Sequence, residues 1–137
     1  MYKKILVPVE PGQVDRHQSA FDMARALRED EASEIITLTV IEPVPSYFPM
    51  ADGLPDLHLQ AGEETLKHLK ALVGDETAIT TRVLHGHAAT EINGFAGAEG
   101  VDCIVIASHK PELVDYLLGS TAARVVRHAP CSVHVMR

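Results

Sequence analysis

The chain has 137 residues, a formal net charge of −7 and an apolar fraction of 46% that includes only 4% aromatic residues and no Trp. One domain spanning 1–137 is expected at this length, with about 68% of the unfolded chain's surface buried around an aliphatic core. The acidic balance excludes nucleic acid and anionic membrane as partners, since either needs a positive field to recruit it. Apolar runs such as 103–107 are far too short to cross a bilayer, and the start "MYKKILVPV" lacks the long apolar stretch and cleavage site of a signal peptide, so a cytoplasmic location is expected.

Five strand-like runs, at 4–9, 34–41, 78–84, 102–107 and 132–136, alternate with four helix-like segments, the signature of an α/β protein with a parallel sheet. The first run, "ILVPV", is almost continuously apolar, as in a strand covered on both faces. The helix after it carries Ala20, Met23, Ala24 and Leu27 on one stripe. Beyond the second run, residues 42–56 form a long irregular stretch with four of the chain's eight prolines; its Tyr47 and Phe48 either cover a ligand or belong to plain surface. The second helix places Leu59, Leu66, Leu69 and Val73 on its apolar stripe, and the third places Ala88, Ile92, Phe95 and Ala96. Gly100 is expected to stop the third helix in the left-handed conformation. The fourth run, "CIVIA", is again apolar, and the helix after it has Ala122, Val125, Val126 and Ala129 as its core stripe and is limited by Pro130.

The third and fifth runs, "AITTRVL" and "SVHVM", mix polar with apolar residues and belong at sheet edges. Central first and fourth strands, with right-handed crossovers, give the order 3-2-1-4-5: an open five-stranded parallel sheet with helices on both faces, Rossmann-like. Cys103 and Cys131 show neither a metal spacing nor a secreted disulfide framework and are read as thiols. His85 and His87 lack further ligands at a familiar spacing, so no metal is assigned.

Such a sheet binds ligands beyond the carboxyl ends of its strands, where neighbouring chains leave in opposite directions. In this order that point lies between the first and fourth strands, where the loops "VPVEPG" and "ASHKPE" meet. The fourth helix is expected to start around Gly119, Ser120 and Thr121, offering backbone N–H groups and hydroxyls to an anion; the plainer reading makes Ser120 or Thr121 an N-cap and Gly119 a turn residue.

The segments "MYKKILVPV", "LTVIEP", "VLHGHAATEI", "EGVDCIVIASH" and "YLLGSTAARVVRHAPCSVHVMR" together resemble the universal stress protein family over nearly the whole chain. That resemblance implies the same 3-2-1-4-5 sheet. The family's ATP-binding members carry G-x2-G-x9-G-[ST]; here Ala107 and Lys110 stand at the first two glycine positions, and residues 111–118 leave the spacing before Gly119-Ser120 one short. The variant "ASHKP…YLLGS" is similar to a bacterial F-type and G-type subgroup in which nucleotide binding survives. The resemblance places adenine-side contacts on Pro8, Val9, Glu10 and Val40, with Glu10 one methylene longer than the family's usual Asp. It places phosphate-side contacts on Ala107, Ser108, His109, Lys110, Gly119, Ser120 and Thr121. Gly86 either lets a ribose approach or is an ordinary loop glycine.

The expected function is therefore a stress-response regulator that binds ATP or AMP, with or without Mg2+. The alternative is a dimeric adaptor that binds no nucleotide, and a slow ATPase with His109 as base is a third reading. No catalytic residue is assigned, because no carboxylate visibly orients His109. A phosphate-receiving regulator of similar layout needs clustered acids around a metal, and Glu10 has no such company. The uncovered final strand, and the resemblance, both imply a homodimer through the C-terminal strand, acting on an unspecified protein partner.

Overall fold

A computed structural model describes residues 1–10, 17–43, 57–74, 76, 79–108 and 119–137, with side chains of the second helix described from 62 onward. Its elements run β1 (Lys4–Pro8), α1 (Gln18–Leu27), β2 (Glu34–Ile41), α2 (Leu57–Val73), β3 (Ile79–His85), α3 (Ala88–Glu99), β4 (Cys103–Ala107), α4 (Ser120–His128) and β5 (Ser132–Met136). The strands form one parallel sheet in the order β3-β2-β1-β4-β5, as the strand patterns predict.

Strand alternation sorts the core into two layers. Ile5, Val7, Ile35, Cys103 and Val105 point to one face and meet Ala20, Phe21 and Ala24 of α1 and Leu69 of α2. Leu6, Ile36, Leu38, Val40, Ile104 and Ile106 point to the other and meet Ile92 and Ala96 of α3 and Ala122 and Val125 of α4. Both faces of β1, β2 and β4 are covered, which is why β1 past Lys4 and all of β4 are apolar and why the two threonines within β2 are buried with their hydroxyls bonded to β1 carbonyls or to the Val9 carbonyl just past it.

Two local devices fix the register of the central strands. The Asp102 carboxylate accepts the N–H groups of Lys3 and Lys4, each at 3.0 Å, while its own N–H donates to the Lys4 carbonyl at 3.0 Å. Gly100 ends α3 at φ 67°, the left-handed conformation expected of it, and the Val101 N–H returns to the Ala96 carbonyl. One core assignment is corrected. Val126 is 45% exposed, because α4 seats Ala122 and Val125 against the sheet and the next residue is turned about 100° away.

Candidate functional site

At its carboxyl end β1 stops pairing with β2 just past Pro8, whose register partner is Leu38, and the last rung is the Val9 N–H donating to the Leu38 carbonyl at 2.8 Å. Backbone groups two residues apart in a strand face the same side. The amide and carbonyl of Val40 therefore face the space beyond the end of β1, into which the exposed Glu10 follows the buried Val9. Pro8, Val9, Glu10 and Val40 thus share one corner of the sheet.

The far side of that corner is made by β4 and α4. Ser108, buried just past β4, donates its N–H to the Met136 carbonyl at 2.8 Å, and its own carbonyl accepts the Gly119 N–H at 2.6 Å. That bond pins the start of α4 to the end of β4. Ser108 and, before it, Ala107 are thereby brought close to Gly119 at the start of α4. Lys110 and His109 lie outside the described residues, as do Tyr47 and Phe48.

The start of α4 differs from the plainer expectation. Gly119 itself is the N-cap, with φ −55° and ψ 149°, and no side chain among the described residues hydrogen-bonds into that cap; Ser120 and Thr121 are already helical. No acidic residue lies in the first turn of α4, whereas α3 has Glu91 in its first turn and gives its Ala88 N–H to the Glu42 carboxylate at 3.2 Å. The positive end of α3 is thus served by the chain's own acids, whereas among the described residues no acid does this for α4, whose start suits an external anion.

Gly86 donates its N–H to the Ile41 carbonyl at 3.0 Å, so it borders the same edge. Its φ of 145° is a conformation that suits glycine, and a Cβ there would lie 2.7 Å from Oε1 of Glu91. The requirement for glycine therefore comes from the chain's own backbone and Glu91 side chain. No group of three metal-ligating side chains gathers among the described residues.

Three residues that shape this corner carry no motif. Thr39 donates to the Val9 carbonyl at 2.9 Å and Thr37 to the Val7 carbonyl at 3.2 Å, both inside the core. His17, immediately before α1, is 7% exposed, and its Nε2 lies 3.5 Å from the Glu10 N–H. Burial lowers the His17 pKa, with the Glu10 charge opposing that shift, so the ring is neutral at pH 7.

An open parallel sheet in the order β3-β2-β1-β4-β5 with helices on both faces defines a doubly wound α/β protein. The chain matches the universal stress protein family over residues 1–137 and belongs to it. It is 31% identical to universal stress protein G of Shigella flexneri, with both chains covered in full. It is 33% identical to a universal stress protein of Methanothermobacter thermautotrophicus, covering 100% of this chain and 97% of the other. Among solved structures, universal stress protein UspA from Lactobacillus plantarum superposes with a TM-score of 0.70 at 23% identity, covering 99% and 98% of the two chains. An Archaeoglobus fulgidus universal stress protein in complex with dAMP gives 0.65 at 21%, covering 99% and 98%. An Arabidopsis thaliana family protein with AMP bound gives 0.65 at 15%, covering 98% and 90%.

Proposed function

We propose that this protein binds an adenine nucleotide, AMP or ATP, in the corner between β1 and β4, and that occupancy regulates a homodimer joined through β5 in a response to stress. The observation that carries the reading is the Gly119 N–H to Ser108 carbonyl bond, which holds the uncapped start of α4 against the end of β4 and opposite Glu10 and Val40. Helix N–H groups there suit phosphates, and the backbone of Val40 suits the edge of a base. Relatives of this fold with AMP and dAMP bound support the same choice of ligand. With ATP, Mg2+ would be carried on the phosphates, which supply the oxygen ligands that this ion prefers.

Ala107 and Lys110, standing where the family's glycines are expected, favour a second reading: a dimeric adaptor in which the corner serves only the fold. Native mass spectrometry of protein purified without added nucleotide separates the two. A retained mass matching AMP, ADP or ATP is the expected result. A bare polypeptide mass that stays bare when millimolar AMP and ATP are added would leave the adaptor reading.

A further inference from the structure

His17 is buried beside the candidate nucleoside contact, at 7% exposure, yet lies outside the segments that carry the family resemblance. Its Nε2 faces the Glu10 N–H at 3.5 Å, and its buried Nδ1 has no hydrogen-bond partner among the described residues. A ring that accepts through Nε2 must carry its single proton on Nδ1, so the geometry assigns the tautomer. Among the described residues the charged group acting on His17 is Glu10.

The two protonation states of the ring therefore treat Glu10 in opposite ways. Neutral His17 receives the Glu10 N–H and leaves the carboxylate to a ligand. Once a proton from solvent lands on Nε2, the ring has no lone pair for that N–H, and its positive charge attracts the Glu10 carboxylate instead.

We propose that His17 is a positioning residue for Glu10, holding it for nucleoside contact when neutral and withdrawing it when protonated, so that nucleotide affinity falls as the medium becomes acidic. This rests on the reading of Glu10 as a nucleoside contact given above. The sign follows from linkage: a ligand that prefers the neutral ring binds more weakly wherever free protein takes up the proton, by up to about tenfold per pH unit.

The test is calorimetric titration with AMP from pH 8 to pH 5.5 for the parent, His17→Gln and His17→Leu. Gln places a polar atom near the site of Nε2 but does not titrate, so comparison with it cancels the proton equilibria of the phosphate and of the other histidines. The parent is expected to lose more affinity than His17→Gln across that range, with the excess growing toward its acid end because burial lowers the His17 pKa. His17→Leu is expected to bind more weakly than His17→Gln at pH 8, where the ring is neutral. In the parent, the Glu10 amide NMR resonance should shift with the same midpoint as the His17 ring. Identical pH profiles for parent and His17→Gln, or a Glu10 amide that ignores the titration, would overturn the inference while leaving nucleotide binding intact. A parent that binds no AMP at any pH would overturn the functional reading and this inference together.

Discussion

The Thr39 hydroxyl donates a 2.9 Å hydrogen bond to the carbonyl of Val9, with Thr39 wholly buried and Val9 only 4% exposed. A strand carbonyl at that place has lost its regular ladder partner because β1 is about to leave the sheet. The side chain of the neighbouring strand takes over, and the last fixed backbone atom before Glu10 is set by a residue of β2. Thr39→Val keeps the shape and removes the donor, leaving a buried carbonyl unpaired at a cost of about 1–3 kcal/mol. Urea denaturation should show that loss, with Thr39→Ser closer to the parent. A Thr39→Val protein as stable as the parent would show that the Val9 carbonyl has another partner.

Arg25 of α1 reaches Glu76 ahead of β3 with Nε at 3.2 Å and Nη2 at 2.8 Å, and the hydrogen bond is the main reason the Glu76 pKa is lowered. A carboxylate whose folded pKa is depressed stabilises the protein above its unfolded pKa, and that contribution is lost as the pH falls through the folded one. Both side chains are nearly a third exposed, so solvent limits the pair to about 0.5–1 kcal/mol. Glu76→Gln should therefore be less stable than the parent by about that amount at pH 7 and indistinguishable from it near pH 3. A difference that persists at pH 3 would mean the glutamate acts through packing.

The thiol pKa of Cys103 is pushed up to about 11, first by burial and then by the charges of Cys131 and Asp102; that of Cys131 is raised by burial and by Asp102. A thiol with that pKa is about one part in a thousand thiolate at pH 8. Alkylation of the native protein at that pH should reach the half-buried Cys131 first and Cys103 only on unfolding, and reductant should leave Tm unchanged. Rapid double labelling would show that β4 opens readily.

The fold is legible because its signals repeat. "ILVPV" and "CIVIA" announce two-sided burial, and each helix stripe recurs every three or four residues, so the order 3-2-1-4-5 follows from which strands can tolerate an edge. Val126 escaped that reasoning, since an apolar residue beside a true core position on a short helix is assigned by the direction the helix faces, which spacing alone leaves ambiguous. The corner itself is half legible. Gly119 and Ser120 carry a local signal, a small residue and a hydroxyl at a helix start. His17 and Thr39 carry none, because what matters about them is a partner 7 or 30 positions away in sequence. The Glu42 carboxylate at the start of α3 is the same kind of case, joining residues 46 apart.

On its far side from β4, strand β5 ends the sheet's order, and its Val133 and Val135 are only partly buried. An uncovered strand edge invites pairing with another chain. Light scattering should give about twice the 14.9 kDa chain mass, and backbone amides along β5 should exchange more slowly as concentration rises. A strictly monomeric mass across micromolar concentrations would remove β5 as a dimer edge.

On the proposed reading, Lys110 and Gly119 give separate handles on the phosphates. A glycine in a phosphate loop lets the backbone approach and each amide donate; a lysine in its place supplies a mobile charge, and a charged hydrogen bond is worth about 1.5–3 kcal/mol, comparable to one or two lost amides. Lys110→Ala should therefore weaken ATP about ten- to a hundredfold while leaving adenosine nearly unchanged, because only phosphate contacts disappear. Gly119 has backbone angles open to any residue, so Gly119→Val adds a side chain at the start of α4 without backbone strain. On the proposed reading, that side chain crowds the helix N–H groups offered to the phosphates, so AMP and ATP should suffer alike. Calorimetric titration of each variant with adenosine, AMP and ATP distinguishes the two roles. Equal losses of adenosine and ATP in Lys110→Ala would mean that the lysine shapes its loop and holds no phosphate.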